Sequence, residues 1–117
     1  MSSWKTHARW AAIAWGFVAA FEAVIAYLSA FFPPERLSLV FAVSALVSLL
    51  ATGLLASGPS ARVLLGVTVW AGVNFVLGLW AMPDDAARLV LNVVFGLLLA
   101  AAGLESYLAW RGRRVQA

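Results

Sequence analysis

Glu22 is the residue of this chain whose type and position could do the most chemistry. It stands near the middle of an apolar run, Trp10 to Phe32, with no lysine or arginine at its level. Counted from Arg9 at 1.5 Å per residue, it lies about 19 Å into that run. A carboxyl group so placed costs about 2.5–3.5 kcal/mol on insertion scales, and burial without a cation favours its neutral form. A neutral acid needs hydrogen-bond partners. Asn74, about 18 Å into the third apolar run, and Ser48 in the second stand at a similar level, with Asn92 somewhat further out. Two readings of this polar set stay open. The side chains bond across the helices as packing groups worth about 0.6–1.7 kcal/mol each, or Glu22 is a proton or substrate site coupled to transport. The polar face could also meet another subunit.

Trp15 precedes Glu22 by seven residues and so shares its helical face, and Trp70 stands at a comparable depth in the third run. Both are too deep for an interfacial belt. They are either walls of an aromatic cavity or bulky fillers of a packed interior. Glu105 lies about 9 Å from the end of its run, close enough to extend to Arg111 or to the water layer.

Other chemistries lack their residues. Without cysteine there are no disulfides, thiolate metal sites or cysteine redox steps. His7 is the only histidine and precedes the first run, so one chain supplies neither a bis-histidine haem site nor a histidine metal cluster. No lysine lies within a run to form a Schiff base. No glycine-rich phosphate loop, nucleophile elbow or pair of catalytic carboxylates is present. The sequence therefore reads as non-catalytic, with no cofactor and no metal.

The elements that must position these residues follow from composition. Of 117 residues, 64% are apolar and 11% charged, whereas soluble domains carry about a quarter charged residues. The charges are confined to short stretches between four runs: Trp10–Phe32, Leu37–Ala56, Val63–Met82 and Leu89–Trp110. Each run is long enough to cross about 30 Å of hydrocarbon as a helix. The first is too long for a signal peptide and ends at Pro33-Pro34 without a small-residue cleavage site, so it reads as a retained span. The connections, Pro33–Arg36, Ser57–Arg62 and Pro83–Arg88, each contain proline and helix-start chemistry. Glu35 falls in a first turn, Ser60 is an N-cap, and Asp84 or Asp85 caps the fourth span. Loops this short make neighbouring helices antiparallel. The expected fold is all-α, a single up-down four-helix transmembrane bundle.

Lysine and arginine set its orientation. Lys5, Arg9, Arg62, Arg111, Arg113 and Arg114 collect on one side, against Arg36 and Arg88 on the other. The first side is expected to be cytoplasmic, with both termini on it, in a bacterial cytoplasmic (inner) membrane. The net charge of +3 forms no patch and carries no nucleic-acid motif, so the basic residues read as topology signals and contacts to anionic headgroups. Trp10, Trp80 and Trp110 fall at span ends, as in an interfacial belt. Ala12, Gly16 and Ala20; Ser44, Ser48 and Thr52; Gly66, Gly72 and Gly78; and Gly96 with Ala100 are expected to let helices approach within the bundle.

A shift of 52 residues places Arg36 on Arg88, Leu37 on Leu89, Glu22 on Asn74 and Ser44 on Gly96, as two repeated helical hairpins would. Such hairpins would share a pseudo-two-fold axis along the membrane normal. Gly78-Leu79-Trp80, then Met82-Pro83, then Asn92 with Gly96, resembles the second hairpin of SPW-repeat membrane proteins. The likeness covers roughly 30 residues, departs at Met82-Pro83-Asp84 where that family has Ser-Pro-Trp, and implies a bundle without implying an activity. Four spans, an acid in the first and Trp70-Ala71-Gly72-Val73 in the third also resemble the small multidrug resistance transporters. That resemblance implies Glu22 as a shared proton and substrate carboxylate and Trp70 as a cavity wall. The chain departs from it in its strong charge bias, in lacking a lysine after the first span, and in Asn74 standing where the family has a glycine. Three functions follow as expectations: an accessory or structural subunit among other membrane subunits or its own copies, a proton-coupled exporter, or binding of a lipid or quinone between helices. Membrane lipids are its expected surroundings, and nucleic acid is not an expected partner.

Overall fold

Hydrocarbon offers backbone groups no hydrogen-bond partner, so each apolar run must satisfy itself as a helix. The computed structural model describes residues 4–31, 35–81 and 86–116 and contains four helices: α1 (Trp4–Ser29), α2 (Glu35–Ala56), α3 (Ala61–Ala81) and α4 (Ala86–Gln116). All four are long and apolar enough to cross a membrane. Phe17, Leu28, Leu46, Leu50, Val76 and Leu97 are each more than half exposed. Apolar surface on that scale is covered by lipid, and the chain is an integral membrane protein.

The helices run up and down in a ring. α1 packs on α2 and α4, and α3 on the same two, with no close backbone approach across either diagonal; α1 and α2 meet most closely, α2 and α3 least. Both termini emerge on one face. There Trp4 packs on Gly112 and the Arg113 guanidinium lies 4.4 Å from its ring. At the opposite face Arg36 Nε donates to the Trp80 carbonyl at 3.2 Å, joining the start of α2 to the end of α3.

Helix limits differ from the sequence expectation. α1 begins six residues before Trp10, so His7 is helical; Trp4 and Ala8 are buried against the bundle and hold this turn in place. α1 ends at Ser29 rather than Phe32. α4, at 31 residues, is about 46 Å long and overshoots the hydrocarbon by about 15 Å, carrying its arginines into the interface. Ser60 accepts a hydrogen bond from Val63 N at 3.3 Å and caps α3, while Gly58 takes φ 78°, the left-handed conformation that ends α2. Phe32, Pro33, Pro34, Met82, Pro83, Asp84, Asp85 and the side chain of Arg88 lie outside the described residues.

The small-residue stripes need correction. Ser44 and Ser48 are buried, and Gly78 admits the Phe95 ring so closely that a Cβ would overlap it. A Cβ at Gly16, Gly66 or Gly72, however, would meet nothing within 4 Å, and Ala20 is exposed. The buried face of α1 is carried by Ala8, Ala11, Trp15, Val18, Glu22 and Ala26. Gly66 and Gly72 are exposed and Gly16 is only half-buried, because the inward stripes of α1 and α3 are carried by other residues.

Candidate functional site: a buried polar knot

Alternating steps of three and four residues turn one stripe of each helix inward. On α1 the stripe runs Trp15, Val18, Glu22, Ala26; on α2 it runs Phe41, Ser44, Ser48, Ala51; on α3 it runs Val67, Ala71, Asn74, Gly78; on α4 it runs Phe95, Leu99, Ala102, Ser106. Glu22, Ser48 and Asn74 thus occupy core positions, with 0%, 0% and 1% of their surface exposed.

They meet in one knot. Ser48 Oγ donates to Glu22 Oε1 at 2.7 Å. Asn74 Nδ2 donates to both Glu22 Oε1 and Ser48 Oγ at 3.3 Å, and Trp70 Nε1 donates to Ser48 Oγ at 3.3 Å. Three helices and four side chains share the network, and Glu22 and Asn74, the pair related by the 52-residue shift, face each other across the ring. Two oxygens are left over: Glu22 Oε2 and Asn74 Oδ1 are buried without a hydrogen-bond partner. A proton on Oε2 would remove one idle acceptor and create a donor, for which Asn74 Oδ1 is an unengaged acceptor in the same knot.

Towards the opposite face, Phe95 covers the knot. Its ring is fully buried, 5.1 Å from Phe41, 6.0 Å from Phe21 and 6.5 Å from Phe75, and Phe21 and Phe75 adjoin Glu22 and Asn74 in sequence. Asn92 is not part of the knot; it is half-buried, and its Oδ1 is buried without a partner.

Trp15 and Trp70 have different roles. Trp15 is fully buried and donates through Nε1 to Ser106 Oγ at 2.9 Å, and Ser106 donates in turn to the Ala102 carbonyl at 2.7 Å. Trp70 is half-buried and lines an open apolar groove of about 230 Å³ between α2 and α3, with Val47, Ala51, Val63 and Gly66. It therefore stands between that groove and Ser48. Glu105 is partly exposed and pairs with His7 rather than Arg111: its Oε2 lies 2.6 Å from His7 Nδ1, tying α4 to the first turns of α1.

Sequence reasoning missed three residues here. Ser106 lies on the inward stripe of α4 and could have been found from that spacing. His7 was placed before the first helix, which hid its contact with Glu105. Phe95 carries no signal of its own, because its role depends on Gly78 opposite. Among the described residues, no group of three or more His, Cys, Asp or Glu side chains could hold a metal ion. In comparisons with family models, curated proteins and solved structures, the chain matches none.

Proposed function

We propose that this chain is a non-catalytic accessory or structural subunit, a helix-packing module of a membrane complex or homo-oligomer, with both termini cytoplasmic in a bacterial inner membrane. One observation carries the reading: Glu22, Ser48 and Asn74 are directed inward, while three glycines of α1 and α3 are left without a neighbour inside the bundle. Glu22, Ser48 and Asn74 are engaged with one another, and the groove beside Trp70 is not lined by Glu22 or Asn74. Gly16, Gly66 and Gly72 instead face open space, where a neighbouring helix can approach closely. Extraction in mild detergent followed by intact-mass analysis tests this. A defined homo-oligomer or a set of stoichiometric subunits is expected; a lone monomer from native membranes would refute it.

A second reading, a small proton-coupled exporter with Glu22 as coupling carboxylate, is favoured by the two idle oxygens of the knot. The resemblance to small multidrug resistance transporters points the same way. In proteoliposomes Glu22→Gln separates the two. Loss of proton-driven uptake with the bundle intact selects the exporter, and absence of any such uptake in the unaltered protein selects the subunit.

A further inference from the structure

A second set of residues, remote from the knot, forms a site at the terminal face. The first turns of α1 and the loop between α2 and α3 enclose a pocket of about 470 Å³. Its floor is apolar, with Ala8, Ala12 and Leu55, and Ile13 at its outer edge is 51% exposed. Its rim carries two cations, Lys5 and Arg9, one helical turn apart and both exposed. Gly58 and Pro59 close the far wall, with the left-handed Gly58 turning the loop towards α1.

The electrostatics are one-sided. Lys5 Nζ lies 6.0 Å from the centre of the Trp4 ring, and the Arg113 guanidinium adds further positive charge beside that indole. Among the described residues the only ion pair is His7 with Glu105, so neither Lys5 nor Arg9 has a carboxylate partner. His7 is two residues from each cation and thus on the opposite side of α1, which keeps Glu105 away from the pocket. The remaining described acids, Glu22 and Glu35, are in the bundle interior and at the other end of α2.

We propose that this pocket binds one anionic phospholipid. Lys5 and Arg9 hold its phosphate, and its upper acyl chain lies against Ala12, Ile13 and Leu55. The arrangement matches that ligand in each part: two unpaired cations at headgroup level, an apolar trough directly beneath them, and an opening to the lipid side at Ile13. A free anion would satisfy the cations and leave the trough empty. The inference stands whether the chain serves as a subunit or an exporter.

The test is native mass spectrometry of the full chain released from bilayers of equal phosphatidylglycerol and phosphatidylcholine, counting lipids retained. One phosphatidylglycerol is expected to remain. At about fivefold per cation, Lys5→Gln with Arg9→Gln lowers retention roughly twenty-five-fold. Arg62→Gln, which removes a cation of the same face outside the pocket, leaves it unchanged, and Lys5→Arg with Arg9→Lys preserves it. Ala12→Phe, which fills the trough and keeps both cations, also abolishes retention. Equal retention of phosphatidylcholine, or a loss in Arg62→Gln as large as in the double variant, would overturn the proposal. So would inorganic phosphate alone displacing the lipid at millimolar concentration, because the site would then be a free-anion site.

Discussion

Glu22→Leu should destabilise the bundle, whereas Glu22→Gln should leave it nearly unchanged. Glu22 Oε1 accepts two hydrogen bonds, from Ser48 and Asn74. Leucine removes both and leaves a buried hydroxyl and amide short of an acceptor. At about 0.6–1.7 kcal/mol per interhelical bond, the loss is about 1.2–3.4 kcal/mol. Removing a carboxyl group from hydrocarbon does not offset this, because the separated helices stay in the micelle and both states gain alike. Glutamine keeps the acceptor at the Oε1 position and puts an amide N–H where Oε2 stands idle, with Asn74 Oδ1 free to receive it. Glu22→Gln is therefore expected to lie within about 0.6 kcal/mol of the parent or above it. The assay is reversible unfolding in mixed dodecylmaltoside and dodecyl sulfate micelles, followed by circular dichroism. If glutamine destabilises as much as leucine, the knot depends on a charge that the hydrogen-bond geometry does not require. If leucine is neutral, the knot holds nothing together. Either result would refute the argument.

Two further outcomes are expected in the same assay. Gly78→Ala drives a Cβ into the fully buried Phe95 ring and should cost about 1–3 kcal/mol more than Gly72→Ala, whose Cβ meets open space; equal stabilities would show that Phe95 can move aside. Trp15→Phe loses the bond to Ser106 as well as some buried ring, so its cost should be about 0.6–1.7 kcal/mol greater in the parent than in a Ser106→Ala background, where only the packing loss remains.

The sequence made the number and direction of the helices legible because run length and hydrocarbon thickness leave little choice. It also placed Glu22, Ser48 and Asn74 at one level, since rise per residue is fixed along a helix. It did not reveal which face of each helix points inward. α2 and α3 are apolar all round, so the small residues gave the main clue to facing, and in lipid they serve outward contacts as readily as inward ones. That is why Gly16, Gly66 and Gly72 were assigned to the interior. Asn92 joins the polar set by residue type alone, since it stands further out than the other three. The His7–Glu105 pair escaped because a helix can continue past the apolar run when a tryptophan and an alanine anchor it.

The unequal closure of the ring sets the order in which its parts would come undone. The α1 and α2 backbones approach most closely and carry the Ser48–Glu22 bond, whereas the α2 and α3 backbones stand further apart and are joined beside the knot by the bonds from Trp70 and Asn74 to Ser48. A lipid tail wedging into that seam would first strip the Trp70 indole from Ser48 and only afterwards reach the carboxyl group. Trp70 is thus a latch on the side where the backbones stand furthest apart, and the acid behind it stays bonded to α2 after the latch has been released.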